Sequence, residues 1–155
     1  MQSDVTLRAS FSEFVEDNES EIRHALVSHF GSDLGRDAAA QALLYGLEHW
    51  DRVAGMDNPA GYLFRVGQRW GGRQHPRRVR FRIVEATQDP WFEPGLAAAL
   101  EGLPVKQRVA VVLRHGSDMD YSEIARLTNS TESTVRKNVE RGLAGLRMSL
   151  EVDGE

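Results

Sequence analysis

Apolar residues recur along this chain at steps of three and four, and runs that alternate apolar with polar are scarce, which predicts helices rather than sheet. Ser10 and Glu13 have the spacing of a capping box, and Phe11, Phe14, Val15, Ile22, Leu26 and Phe30 follow at helical intervals until Gly31 stops the run. A second helix is expected from about Asp37 to Trp50, with Ala39, Leu43, Leu47 and Trp50 on one side. Its other side carries little charge, which hints at burial or at a partner. Asp51 to Asp57 reads as a connector. Asn58-Pro59 then opens a third helix, Asn as cap and Pro in the first turn, with Tyr62, Leu63, Val66 and Trp70 as its apolar side. Arg65, Arg69 and Arg73 would line up on that helix, but Gly71-Gly72 argue against its continuing past Trp70.

From about Gln74 to Pro94 the periodicity fails. His75-Pro76 and Asp89-Pro90 resist helix, and Arg77, Arg78, Arg80 and Arg82 crowd the stretch. A break of about twenty residues is too long for an ordinary loop inside one compact domain. Periodicity then resumes. Leu96, Leu100 and Leu103 suggest a short helix. Pro104 opens another, with Val105, Val109, Val112 and Leu113 apolar and Gly116 at its end. Asp120 and Glu123 form a capping box for a third, on which Ile124, Ala125 and Leu127 are apolar, and Asn129 suits a left-handed turn. Thr131 caps a fourth, along which Val135, Val139, Leu143, Leu146 and Leu150 make a buried stripe while Arg136, Lys137, Glu140 and Arg141 face outward. The expected fold class is therefore all-α: two small helical domains over residues 8–73 and 94–150, joined by a flexible linker over 74–93. The second would be a four-helix domain ending in a helix-turn-helix. Two short helices with an exposed basic face are the layout that sets side chains into a DNA major groove; the plainer alternative is a helical hairpin whose charges are only solvated.

Composition narrows the function. The chain has no cysteine, so it has neither a disulfide framework nor a thiolate metal site. No apolar run approaches the roughly 18 residues of a membrane span. Met1-Gln2-Ser3-Asp4 lacks the basic and apolar regions of a signal peptide, so a soluble cytoplasmic protein is expected. His24, His29, His49, His75 and His115 show no metal spacing, and no Gly-rich phosphate loop precedes a helix; no metal, cofactor or enzymatic activity is expected. The net charge of −4 hides a strong asymmetry. Residues 1–60 carry four Arg and eleven acids, residues 61–88 seven Arg and one acid, and residues 89–155 eight Lys or Arg and eleven acids. An acidic front suggests a basic protein partner, and a basic middle suggests a nucleic-acid path.

Two separated segments resemble one family. Trp50-Asp51-Arg52 followed by Asn58-Pro59-Ala60-Gly61-Tyr62-Leu63-Phe64-Arg65-Val66 is similar to the promoter-melting domain of bacterial extracytoplasmic-function sigma factors of the sigma-70 family. Leu103-Pro104 with Gln107-Arg108-Val109, then Tyr121-Ser122-Glu123-Ile124-Ala125, then Ser133-Thr134-Val135-Arg136, is similar to their second domain. The resemblance spans roughly residues 8–150. It implies a dissociable, non-catalytic initiation subunit that binds core RNA polymerase, reads the −10 and −35 promoter elements and aids melting, with an anti-sigma factor as a possible further partner.

The resemblance also implies roles for residues. Asp37, Gln41, Leu44 and Glu48 fall on the helix that binds core polymerase, although the family's usual Gln-Glu pair stands here as Ala40-Gln41. Arg52, Asn58, Arg65 and Arg69 fall on the part that handles the −10 element, where melting is driven by capture of a flipped base and stacking of exposed ones. Asn58 is equally a routine N-cap, and Trp50 and Trp70 read as core. Arg77, Arg78, Arg80 and Arg82 match the segment that threads polymerase channels, or are a basic tether. Ser133, Thr134, Arg136, Lys137 and Arg141 match the −35 reader; Arg can pair a guanine edge in bidentate fashion, worth about 1–3 kcal/mol of discrimination. Residues 131–150 hold four cations and two acids, too few phosphate contacts for tight binding alone. Two other readings stay open: a sigma-like DNA-binding regulator that does not initiate, and a helical interaction module that does not touch DNA.

Overall fold

The computed structural model describes residues 2–74 and 95–153, and among them every regular element is helical. The first helix, α1, spans Gln2–Phe30. It begins well before Ser10, so the Ser10–Glu13 pair is not a cap. Ser10 instead lies inside the helix and its hydroxyl accepts the Trp50 indole N–H at 3.2 Å. Leu7, Phe11 and Phe14 pack on the core, and the Phe11 and Phe14 rings meet Trp50 at 5.2 and 4.9 Å between centroids. Tertiary packing thus draws the helix back beyond the local start signal. Trp50 is core, as its sequence context suggests. Gly31 ends α1 with φ 92°, a conformation that favours glycine.

Helix α2 spans Ser32–Glu48, starting five residues before the expected Asp37, and a single turn, α3, follows over Trp50–Val53. The expected inner side of α2 needs correction. Leu34, Gly35, Ala38, Ala39, Ala42 and Gly46 are buried, whereas Leu47 is half exposed. The cause is close packing of α1 and α2: a Cβ on Gly35 would lie 2.4 Å from the Val27 Cα, so only small residues fit between them.

Helix α4 spans Pro59–Gln74, and Asn58 caps it by accepting the Gly61 N–H at 3.1 Å. Contrary to the sequence expectation, Gly71-Gly72 do not end it. Gly71 is buried and the Phe30 ring packs against it, 2.5 Å from where a Cβ would sit, so the glycine serves a close contact inside the helix and does not break it.

Past residue 94 come α5 (Leu96–Glu101), α6 (Val105–Val111) with a π-helical turn over Val112–Gly116, α7 (Tyr121–Thr128) and α8 (Glu132–Asp153). The Asp120 carboxylate accepts the Glu123 N–H at 2.8 Å, Asn129 takes the left-handed conformation (φ 56°), and the Thr131 hydroxyl accepts the Thr134 N–H at 3.2 Å. Val135, Val139 and Leu146 are buried, with Leu143 and Leu150 packed beside them. The helix-turn-helix geometry is thus the one its caps specify.

The two helical halves pack on one another. Ile22, Leu26, Leu63 and Phe64 of the first join Val109, Leu113, Met119 and Ile124 of the second in one apolar cluster. A second cluster of Ala99, Leu100, Leu103, Val111 and Leu146 holds α5 and α6 to α8.

Candidate nucleic-acid and protein interfaces

On α8 the stripe at 135, 139 and 146 faces the core, so helical geometry turns Ser133, Thr134, Arg136, Lys137 and Arg141 outward, and all five are exposed. Ser133 and Thr134 lie beside the Thr131 cap; their hydroxyls bond to its Oγ1 at 3.2 and 2.9 Å. Arg136 lies over the Tyr121 ring, its guanidinium 5.1 Å from the centroid, and Arg114 lies 5.2 Å from the same ring. Tyr121 is therefore within cation–π range of both cations and braces Arg136 at the start of the reader helix. The sequence pattern gave no hint of this, because Arg114 comes from the π-helical turn.

The segment before α4 behaves differently. Both ends of the Asn58 amide are engaged: Oδ1 caps α4, and Nδ2 donates to the Arg126 carbonyl at the end of α7 at 2.6 Å. Arg126 in turn donates from Nη2 to the Asp57 carbonyl at 2.6 Å, and Asn129 donates to the Gly61 carbonyl at 3.1 Å. Arg52 donates to the Tyr45 hydroxyl, which lies 3.3 Å from that of Tyr62. The hydrogen bond between the two phenols lowers the Tyr45 pKa, which the Arg52 charge lowers further, and raises that of Tyr62. Arg65, Arg69 and Arg73 are exposed along the α4 surface, so the alignment that an unbroken helix would give them is present.

Helix α2 presents Asp37, Gln41, Leu44 and Glu48 on one exposed face, at the helical spacing of four, three and four. Gln41, Leu44 and Glu48 line a groove of about 300 Å³ with Tyr62, Arg69 and Trp70 of α4. Arg69, one of the candidate −10 residues, therefore shares this groove with three of the candidate polymerase-binding residues. Leu44 and Leu47 are 47% and 50% exposed, unusual for leucines on a helix that also has a buried side.

At the seam between the halves, Arg108 is buried. Its Nε and Nη2 donate to the Ser28 and His29 carbonyls at the end of α1, at 2.7 and 2.9 Å, and its Nη1 reaches the Leu103 carbonyl at 3.3 Å. A guanidinium at a helix C-terminus meets the unsatisfied carbonyls and the negative end of the dipole. His24 Nδ1 and the Ser117 hydroxyl are 2.9 Å apart across the same seam. The Nδ1 of His29 is buried without a hydrogen-bond partner, and burial, then the Arg108 charge, hold this imidazole down to a pKa of about 4. A cavity of about 340 Å³ opens here, bounded by His29, Phe64 and Gln68 on one side and Lys106, Ile124 and Thr134 on the other. Arg108 belongs to a motif that the sequence displays, but its partners are carbonyls some eighty residues away, which no local pattern reveals.

Arg77, Arg78, Arg80 and Arg82 lie outside the described residues. Among the described residues there is no cluster of His, Cys, Asp and Glu able to hold a metal, and no helix is long and apolar enough to cross a membrane.

Comparison with known proteins points in one direction. Residues 95–146 match the family described as sigma-70, region 4. An RNA polymerase sigma-E factor from Streptomyces avermitilis is 30% identical over 126 residues, covering 75% of this chain and 70% of that protein. The fold is shared with the sigma factor RpoE of Bartonella quintana, solved in complex with the anti-sigma factor NepR: TM-score 0.67, 20% identity, 93% of this chain and 98% of that one.

Proposed function

This chain belongs to the extracytoplasmic-function sigma factors of the sigma-70 family, which act in transcription initiation, and from that premise we propose how its own residues divide the work. The outer face of α2, with Asp37, Gln41, Leu44 and Glu48, docks on core RNA polymerase. Its exposed leucines supply apolar contact where Ala40-Gln41 replace the family's Gln-Glu pair. Arg52, Asn58, Arg65 and Arg69 engage the −10 element: Arg65 and Arg69 hold phosphate, and Asn58 reads a displaced base. Ser133 and Thr134 hold phosphate at the start of α8 while Arg136, Lys137 and Arg141 meet the −35 element. The linker arginines at 77, 78, 80 and 82 follow a nucleic-acid backbone between the two arms, residues 8–73 and 94–150. Neither arm is strong alone, so occupancy comes from both acting with polymerase. Work of this kind places the protein at the bacterial nucleoid, in the cytoplasm. An anti-sigma factor is a natural further partner, as it is for RpoE of Bartonella quintana.

The observation that carries the promoter reading is the outward set Ser133, Arg136, Lys137 and Arg141 on a helix whose other side is buried. The test is transcription in vitro with purified core polymerase on a genomic template library, with start sites sequenced. The expected result is a set of transcripts that share two upstream elements and vanish without the protein. Sequence-specific binding of the protein alone, with no core binding and no transcript, would instead identify a regulator that does not initiate.

A further inference from the structure

We propose that this chain switches itself off by closing its second half onto its own −10-reading loop, with Arg126 and Asn129 of the helix-turn-helix as the latch. The inference rests on the assignment of Asn58 to the −10 element. A side chain that reads a base must offer its amide to that base, and here both ends of the Asn58 amide are already engaged, each with one of its two hydrogen-bonding capacities. Its oxygen caps α4, and its nitrogen is held at 2.6 Å by the Arg126 carbonyl. The contact is reciprocal. The Arg126 carbonyl, in the last turn of α7, accepts the Asn129 N–H at 3.4 Å and takes the Asn58 amide as a second, shorter bond. Arg126 and Asn129 then donate back to the Asp57 and Gly61 carbonyls that flank Asn58. A Cβ on Gly61 would lie 3.0 Å from the Arg126 carbonyl, so the α7 end lies directly against the first turn of α4. A displaced base and the α7 end cannot both occupy that position.

The same seam also carries a feature that favours opening, set against the shared apolar cluster and the Arg108 bonds that hold it closed. A solvent-open cleft of about 340 Å³ lies between the two halves, and the His29 Nδ1 is buried at its wall without a partner. An unsatisfied buried polar atom costs free energy that opening recovers. The latch bonds from Arg126 and Asn129 are exchanged for water on opening, so each holds the closed form by a modest factor, about fivefold on average. Docking of the first half on polymerase has to outcompete these bonds together with the shared apolar cluster and the Arg108 contacts. The reader face of α8 stays exposed throughout, so closure disables one promoter contact and leaves the other displayed.

The chain has no cysteine, which allows paired labelling at exposed positions. Dyes on Ser12→Cys and Ser149→Cys report the distance between the halves. Arg126→Ala with Asn129→Ala removes two latch donors from exposed residues without touching the core. Energy transfer should fall in this variant without polymerase, and in the otherwise unaltered chain when core polymerase is added. In a second arm, Asp57→Cys and Arg126→Cys are bridged by a short bis-maleimide; promoter-directed transcripts should drop at least tenfold while core binding persists. Arg126→Cys capped with a monofunctional maleimide should transcribe normally, and capped Asp57→Cys, whose adduct adjoins Asn58, sets the baseline against which the tenfold drop is read. Unchanged energy transfer in the Arg126/Asn129 variant, or full transcription by the bridged protein, would overturn the latch. Absence of any transcript from the unbridged chain would defeat the sigma-factor assignment instead, and the energy-transfer arm would still decide whether the chain closes.

Discussion

Helices α2 and α8 are built inside out relative to each other. Helix α8 is conventional: valines and leucines face the core, and Arg136, Lys137 and Arg141 face water. Helix α2 keeps Ala38, Ala39, Ala42 and Gly46 inside and turns Leu44 and Leu47 out. Each arrangement suits a different partner. Exposed cations beside a helix start suit a phosphate-lined groove, where attraction is electrostatic and falls with salt. Exposed leucines among polar neighbours suit another protein, because only burial against a second apolar surface recovers the free energy that their hydration costs. What a helix leaves outside, rather than what it buries, separates the two roles.

The small inner face of α2 is the precondition for this contrast, and the largest expected effect comes from breaking it. Gly35→Ala would place a methyl group 2.4 Å from the Val27 Cα and 2.7 Å from the Leu26 carbonyl, both backbone atoms that cannot rotate away. The two helices must part, at a cost of about 3 kcal/mol, which lowers the melting temperature by roughly 10 °C. Gly72→Ala, with nothing within 4 Å, should leave stability unchanged or raise it slightly, by up to about 1 kcal/mol. Calorimetry on the pair separates a glycine required by packing from one that is not.

On α8 the test is of the displayed face. Arg136→Ala should leave the melting temperature within a degree or two, as surface truncations do, and weaken binding at a guanine-containing −35 element by about 2 kcal/mol. Transcripts from mutated −35 elements would show whether the loss is confined to one base position. Equal loss at every promoter would mean that Arg136 touches only phosphate.

The sequence made α8 legible and α2 illegible for the same physical reason. Large aliphatics at 135, 139, 143, 146 and 150 and a Thr131 cap are strong local signals, and they describe the helix that forms. On α2 the apolar signal at Leu47 points to the wrong face, because what faces α1 is set by the space α1 leaves. Gly71 misleads in the same way. Its role depends on the Phe30 ring, which lies on another helix and forty-one positions earlier. The Arg108, Arg126 and Asn129 contacts across the seam are less legible still, since their acceptors are backbone carbonyls that every residue possesses. By contrast the Asn58, Asp120 and Thr131 caps, which act within three residues, were readable in full.

On the outer face of α2, Leu44→Ala should weaken binding to core polymerase by about 1 to 2 kcal/mol, the range of an apolar side chain near the centre of an interface. Folding stability should stay within about 0.5 kcal/mol, because the side chain is already half exposed. Titration of labelled core polymerase reads the first, and denaturant unfolding the second. A stability loss without a binding loss would place Leu44 with the core residues and remove the contrast with α8.

The smallest effect tests how α8 presents its cations. Tyr121 holds Arg136 and Arg114 on its ring, so Arg136 enters an encounter with DNA partly ordered. Tyr121→Phe keeps the ring and should leave −35 binding unchanged. Tyr121→Leu keeps the apolar volume but removes the π-face, and should weaken binding by about 0.5 to 1 kcal/mol, the worth of an exposed cation–π contact. The deficit should persist at raised salt, because the ring contributes order and not net charge, whereas a loss of phosphate contacts would also flatten the salt dependence. Equal behaviour of the Phe and Leu variants would show that Arg136 finds its base without the brace, and that the exposed cations of α8 act independently of the turn beside them.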